Sequence, residues 1–342
     1  MHENRRRRRI AGGSALALAL TLFTGCGQTI QRSASNSFCP HGPPCPPPPE
    51  PSILSPPPAS PAIVISPSIS LRPKEKASPS PSPHPKLHPV IAVIVMENHE
   101  YGSIIGNSCC RFINSLVGKG MLFTNYHAVA HPSLPNYLAM TSGGTQGKGG
   151  TDSVGAGEID AESVFQQLSM AGLTWNAFQE GMPSPCYRGK SAGNAPFEYA
   201  LKHDPAMTYR NIANNSLCNR VVPAVGISLL PDFSFITPNL CYSMHSCPAV
   251  SGDKWLQANV EALVSVLGPT GRVIITWDEG TTGAGGGGHI VTLELGPGVP
   301  VGRDPTRLDH YGLLAGIESA FGLPRLQNAA GATPLPLFTG KP

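Results

Sequence analysis

The chain has no Cys-x-x-Cys pair, no lysine-bearing phosphate loop, no basic stripe and no internal repeat. Each absence removes a class of protein. Without cysteines at knuckle spacing, a structural zinc module is not expected. The one glycine-rich loop, Gly283–Gly288, lacks the lysine and hydroxyl spacing of a nucleotide-binding P-loop, so it reads as a lid or a connector. The formal net charge is +3, and the Arg5–Arg9 run alone supplies more than that. The rest of the chain is therefore near neutral and offers no electrostatic footprint for nucleic acid. The N-terminal apolar run, Ile10–Phe23, is shorter than the roughly 20 residues of a comfortable membrane span.

That run has another use. Basic residues, then an apolar run, then Thr24-Gly25-Cys26 make residues 1–28 a secretory signal of lipoprotein type. Cys26 is the expected lipidation site and the membrane anchor; plain cleavage and release is the alternative. Residues 29–88 are rich in proline and serine, including Pro46–Pro49. Proline removes backbone donors and favours extended polyproline II, so this stretch reads as a disordered, semi-rigid tether. Residues 89–342 remain, about 250 residues, one ordinary domain. Nine cysteines fit an oxidising, extracytoplasmic compartment. Setting Cys26 aside leaves eight, hence at most four disulfides, with connectivity open. Cys186–Cys218 and Cys241–Cys247 are the pairs expected.

In the folded part, Val90–Met96 is a continuous apolar run, as a central parallel strand requires. Further strands are expected at Leu173–Gln179, Phe233–Thr237, Arg272–Trp277 and His289–Leu295. Helices are expected at Glu162–Ala171, at Asp253–Leu267 with Ser251 as cap, and from Asp309 to Phe321. The Asp253 segment carries Leu256, Val260, Leu263, Val264 and Leu267 on one face. Alternating strands and helices define an α/β domain with a mostly parallel sheet flanked by helices.

Two of the buried strands end at oxygen ligands: Val90–Met96 at Glu97-Asn98, and Arg272–Trp277 at Asp278-Glu279. Ligands of open α/β sheets bind at the carboxyl ends of the strands. Three carboxylates and an amide there would repel one another without a cation between them, which points to a hard divalent metal. Either pair alone would read as a solvated loop. Ser133 precedes a short helix, Leu134–Met140, closed by Gly143-Gly144. A serine at that place can attack phosphorus while the helix N–H groups hold the phosphoryl oxygens, or it can simply be the N-cap. Histidines 127, 131, 203, 245, 289 and 310 are further candidates, with His203 and His245 in loop-like sequence. Gly189-Lys190-Ser191-Ala192-Gly193 matches the serine-hydrolase elbow, but the sequence around it offers neither the strand nor the helix that the elbow needs.

Taken in order, Met96-Glu97-Asn98-His99, His131-Pro132-Ser133-Leu134-Pro135-Asn136-Tyr137, Glu180-Gly181-Met182-Pro183, Lys202-His203-Asp204-Pro205, Thr237-Pro238-Asn239, Gly252-Asp253-Lys254-Trp255-Leu256, Trp277-Asp278-Glu279-Gly280 and Asp309-His310-Tyr311 resemble the phosphoesterase family. That family holds acid phosphatases and bacterial phospholipases C within the alkaline-phosphatase superfamily. The resemblance runs from Val90 to about Phe338. It implies an alkaline-phosphatase-like fold and one divalent metal ion (magnesium, calcium, manganese or zinc) held by Glu97, Asn98, Asp278 and Glu279. It makes Ser133 the nucleophile of a phosphoserine intermediate. His203 and His245 would bind phosphate or protonate the leaving oxygen, and His131, Asn136, Asp253 and His289 would lie at the phosphate site. The expected activity is a secreted or lipid-anchored phosphomonoesterase of acid-phosphatase type. A phospholipase C-type phosphodiesterase and a non-catalytic surface-displayed binding domain are the alternatives. Two departures stand out. Ser243-Met244-His245 has serine where the family shows an acid, and a glycine loop follows Asp278-Glu279 where phospholipase members carry acids and histidines.

Overall fold

An apolar strand with no polar face has to lie between two layers, and Ile91–Met96 does, with every residue fully buried. The computed structural model describes residues 88–224 and 230–337. The signal segment with Cys26, almost all of the tether, Cys39 and Cys45 lie outside the described residues. From one edge to the other, the main sheet runs Gly302–Asp304, Met121–Phe123, Thr292–Leu295, Arg272–Trp277, Ile91–Met96, Phe233–Thr237, Trp175–Gln179 and Val221–Pro223. All pairings are parallel except the two made by Thr292–Leu295. Ile91–Met96 sits in the middle, in register with Arg272–Trp277 over its whole length. Both strands therefore end at the same level, with Glu97 beside Asp278. The fold is the expected α/β arrangement, a mostly parallel sheet flanked by helices.

The helices follow the sequence with shifted ends. The long one spans Ala249–Val266, four residues earlier than its apolar face predicts, with Pro248 at the N-cap position. Proline has no N–H to lose at a helix start, so Ser251 falls inside the first turn rather than capping it. Asp309 does cap the last helix, His310–Phe321: its Oδ1 accepts from the Gly312 N–H at 3.0 Å. Gly322 ends that helix in the left-handed region (φ 67). The expected strand from His289 begins only at Thr292 and runs antiparallel. His289 itself is drawn off by loop contacts, its N–H donating to Glu100 Oε2 at 3.2 Å.

The glycine loop is packed rather than a free connector. Gly280 N–H donates to Gly287 O (2.7 Å) and Gly288 N–H to Ala284 O (2.9 Å). Gly288 has φ +100, and a Cβ there would come within 2.8 Å of Glu100 Oε1, so a side chain would drive the loop off that carboxylate. Both expected disulfides, Cys186–Cys218 and Cys241–Cys247, are formed. Ser191 of the elbow-like motif lies exposed in a two-residue strand paired with Tyr199–Ala200, so no elbow exists there.

Candidate functional site

The two strand ends are tied to each other before any ligand is considered. Asp278 N–H donates to Met96 O at 2.9 Å, and Asn98 N–H donates to Asp278 Oδ1 at 3.1 Å. Glu97 N–H donates to Ser243 O at 2.8 Å. This fixes what replaces the family's acid: Ser243 is buried and gives its carbonyl to Glu97, while its hydroxyl turns back to Leu240 O. The next residue, Met244, takes φ +82, unusual for a side-chain-bearing residue, inside the loop closed by Cys241–Cys247.

Ser133 is the first residue of the helix Ser133–Ser142, with Pro132 at the N-cap position. Its hydroxyl makes no cap bond. Instead Oγ lies 3.2 Å from Glu97 Oε2 and 3.3 Å from Glu279 Oε1, with the residue only 1% exposed. Asp152 does the capping, its Oδ1 accepting from Leu134 N–H at 3.0 Å. The N-cap reading of Ser133 is thereby set aside, and its hydroxyl is turned to the carboxylates.

Glu97, Asp278 and Glu279 are all buried, and burial raises each pKa because the charged form loses its water. Glu97 is raised first by burial and next by Asp278, against a hydrogen bond from Tyr137 Oη. Asp278 is pushed up to about 6 by burial, against the hydrogen bonds it receives. Glu279 is pushed up to about 7 by burial and by Asp278, against His131. His131 Nδ1 bonds Glu279 Oε2, and its Nε2 lies 2.6 Å from Thr282 O. A carbonyl only accepts, so Nε2 carries the proton. Burial alone would lower the His131 pKa, but the Thr282 carbonyl and Glu279 outweigh it and the net shift is upward.

His203 is buried and stacks on Tyr137, ring centroids 5.2 Å apart. Its Nε2 is 3.3 Å from Glu97 Oε2, yet the alignment is too poor for a hydrogen bond. Burial, then Lys202 and His245, hold its pKa well below the usual histidine value. The His245 ring lies 5.5 Å from that of His203, with Nδ1 3.0 Å from Ser246 Oγ and Nε2 3.5 Å from Lys202 Nζ. Its pKa is also lowered, by burial and then by Lys202.

The other candidates have their polar atoms committed elsewhere. Asn136 Oδ1 accepts from Val129 N–H (3.0 Å) and Ala130 N–H (3.1 Å), and its Nδ2 donates to Ala130 O (2.8 Å). It folds the loop that delivers His131. Asp253 accepts from Phe112 N–H (3.1 Å) and Ile113 N–H (2.9 Å) at the start of the helix Arg111–Leu116. His289 stacks between Tyr101 and His127, with Nε2 3.0 Å from Thr124 O. No recorded contact of Asn136, Asp253 or His289 reaches Ser133 or the three carboxylates.

Four residues outside the candidate set shape the site, Tyr137, Lys202, Asp152 and Glu100, and so does His310, one of the candidate histidines. Tyr137 and Lys202 lie inside sequence motifs but carried no separate signal. His310 Nε2 donates to Asp278 O at 2.6 Å, and burial pushes its pKa down to about 4, so it acts as a neutral brace. Glu100 Oε1 accepts from Thr281 N–H (3.0 Å) and Thr282 N–H (2.9 Å). It thereby sets the carbonyl that orients His131. Asp152 had no signal at all in the sequence.

The donor chemistry suits a hard divalent cation. Glu97 and Glu279 meet at the Ser133 hydroxyl and both interact with Asp278, and among the described residues no lysine or arginine touches the three. Asp278 Oδ2 is buried without a hydrogen-bond partner. The cage is not closed: among the described residues no group of three His, Cys, Asp or Glu side chains already has the geometry to hold a metal ion.

A serine hydroxyl at a helix N-terminus thus faces buried carboxylates at the carboxyl edge of a mostly parallel sheet. The model of the phosphoesterase family matches residues 107–324, and the chain belongs to that family. It is a phosphoric ester hydrolase. It is 31% identical over 249 residues to a phosphatidylinositol-3-phosphatase of Mycobacterium tuberculosis, spanning 72% of this chain and 81% of that protein. It is 28% identical over 247 residues to an acid phosphatase of Aspergillus fumigatus, spanning 68% of this chain and only 54% of the fungal one. Among solved structures, a protein in the alkaline phosphatase superfamily from Vibrio parahaemolyticus aligns with a TM-score of 0.44 at 11% identity, over 71% of this chain and 70% of that one.

Proposed function

We propose that the protein is a metal-dependent phosphomonoesterase of acid-phosphatase type that works through a phosphoserine at Ser133. The observation that carries this reading is the Ser133 hydroxyl, which starts a helix and lies 3.2 Å from Glu97 and 3.3 Å from Glu279. The helix N-terminus favours a phosphoryl anion in front of the hydroxyl. As Oγ attacks phosphorus, its proton passes to whichever of the two carboxylates it then faces. Buried carboxylates with raised pKa values are better bases than solvated ones. His203 Nε2 lies 3.3 Å from Glu97 Oε2, and the His245 ring lies 5.5 Å from that of His203. A bound phosphate would raise both imidazole pKa values, and the half-buried His245 would hold the proton the leaving oxygen takes. Water then attacks the phosphoserine in the reverse sense, and Ser133 recovers its proton.

Glu97, Asp278 and Glu279, with the Asn98 side chain, would hold one divalent ion among magnesium, calcium, manganese and zinc. Such an ion supplies charge neutralisation and lowers the pKa of a bound oxygen nucleophile. The two disulfides support an extracytoplasmic location, with Cys26 as the proposed lipid anchor. Phosphate esters are the substrates. The mycobacterial relative's name adds phosphorylated lipid headgroups to the esters worth testing.

The test is hydrolysis of a chromogenic phosphate monoester, with and without chelator, by the wild type and Ser133→Ala. Chelator-sensitive turnover lost in the variant is the expected result. Turnover that survives Ser133→Ala moves the nucleophile elsewhere. Turnover confined to diesters makes the enzyme a phospholipase C-type phosphodiesterase, and none on either leaves a binding domain.

A further inference from the structure

Asp152 bridges two donors that a phosphatase would want for its substrate. Its Oδ1 accepts from Leu134 N–H at 3.0 Å, and its Oδ2 accepts from Lys202 Nζ at 2.7 Å. Leu134 follows the nucleophile directly, in the first turn of a ten-residue helix. The N–H after a nucleophile at a helix start is a natural oxyanion donor. Lys202 Nζ also lies 3.5 Å from His245 Nε2, and its charge depresses the pKa of both His203 and His245. The ammonium thus stands among the residues already placed at the phosphate. Beside it, His203 Nε2 is buried without a hydrogen-bond partner.

A carboxylate with one oxygen on a helix N–H and the other on an ammonium occupies the place of two phosphoryl oxygens. We propose that Asp152 is a resident anion that holds Leu134 N–H and Lys202 until a phosphoryl group displaces it, and that Lys202 is the phosphate-binding cation of the site. This rests on the reading of Ser133 as nucleophile. Displacement is feasible for three reasons. Asp152 lies in an irregular segment outside any helix or strand, its side chain is 29% exposed, and among the described residues its side chain makes just these two bonds. Lys202, 23% exposed, can follow a phosphoryl oxygen on its flexible stem. The built-in competitor keeps the nucleophile helix capped when no substrate is bound. It lowers affinity for phosphate, which favours product release.

The opposite role is equally concrete: Asp152 stays put and only orients Lys202. Inorganic phosphate separates the two. Its dissociation constant would be measured by calorimetry on the metal-loaded full chain, for the wild type, Asp152→Asn, Asp152→Ala and Lys202→Met. KM and kcat for a chromogenic monoester would be measured alongside, and a thermal melt would confirm folding. Removing the resident carboxylate should tighten phosphate binding and lower KM, each by about tenfold, and Lys202→Met should weaken binding by a similar factor. Weaker or unchanged binding in both Asp152 variants overturns the proposal and leaves Asp152 as a positioning residue. The asparagine variant keeps an acceptor for Leu134 N–H, so it still reports if the alanine variant fails to fold. Because binding is read without turnover, a wild type that binds phosphate but hydrolyses nothing would sink the nucleophile reading. The Asp152 result would still stand or fall on its own.

Discussion

One strand, Arg272–Trp277, carries buried charge at both ends and treats it in opposite ways. At its start, Arg272 and Glu294 are both fully buried, with Arg272 Nε 3.2 Å from Glu294 Oε1. The guanidinium also donates to Gly271 O (2.6 Å) and Pro297 O (2.9 Å). Charge there is matched within the fold. At its end, Asp278 meets Glu97 and Glu279, and burial raises all three pKa values; the partners there are imidazoles, His131 on Glu279 and His203 3.3 Å from Glu97, rather than a guanidinium. Both arrangements desolvate ions, which is costly. Only the first is matched by a permanently charged side chain. The difference separates a matched ion pair from a cluster of buried carboxylates, and mutations at the two ends should therefore show their effects in different measurements.

The largest effect belongs to Ser133→Ala. It should reduce turnover by about 10³-fold or more, the scale at which nucleophile removal is read in serine hydrolases. The melting temperature should hardly move, since the hydroxyl makes no cap bond. A large drop in melting temperature would mean that Ser133 is structural after all. At the other end, Arg272→Met should behave in reverse. Removing one partner of a buried pair costs about 3–5 kcal/mol. Chemical denaturation should show that loss, while kcat of the molecules still folded stays near wild type. Equal losses of stability in the two variants would erase the distinction between the ends.

The sheet's centre was legible because it is written in long apolar runs: Phe233–Thr237 and Arg272–Trp277 fall where their patterns put them. The short strands Met121–Phe123, Val221–Pro223 and Gly302–Asp304, at or next to the edges, carry no such run and form because neighbours offer free backbone groups. At the site, Glu97, Asp278 and Ser133 were legible because strand ends and a helix start are local features. The partnership of Asp152 with Lys202 was not, since 50 residues separate them and neither segment has a periodic pattern. Asn136 and Asp253 show the converse hazard. Each sits in a motif, but a motif residue can serve a loop or a helix start as readily as a substrate, and both side chains bond backbone N–H groups.

Asp278→Asn sharpens the comparison further. Its folded pKa, about 6, lies above the ordinary carboxylate value, so ionised Asp278 destabilises the fold above that pH. In chelated protein at pH 8, the asparagine variant should be about 1–3 kcal/mol more stable than the wild type, while its activity is lost. Added divalent metal should reverse the order, because a ligand that binds only the folded state stabilises by mass action and the variant binds it poorly. Melting curves with and without magnesium, manganese, calcium or zinc would show the crossing. Curves that keep their order under every metal would mean that the carboxylates are not a cation site.

Glu318 supplies the control, a lone buried carboxylate far from any chemistry in its contacts. It is fully buried on the last helix, its Oε1 accepts from Leu326 N–H at 2.9 Å, and burial pushes its pKa up to about 7 against Leu326 and Arg325. A raised folded pKa means that the fold prefers the protonated acid. That preference is fully present below the unfolded value of about 4.3 and is lost as pH rises through about 7. Glu318→Gln keeps the acceptor and removes the charge. It should match the wild type near pH 4 and exceed it by about 1–2 kcal/mol at pH 8.5, with no response to metal and no change in kcat. Desolvation would then account for the pH-dependent part of the Asp278 effect, and the response to metal would remain as the mark of the site. A Glu318→Gln advantage that does not grow with pH would show that burial alone does not raise carboxylate pKa values in this fold. The high values at Glu97, Asp278 and Glu279 would then come from their mutual repulsion.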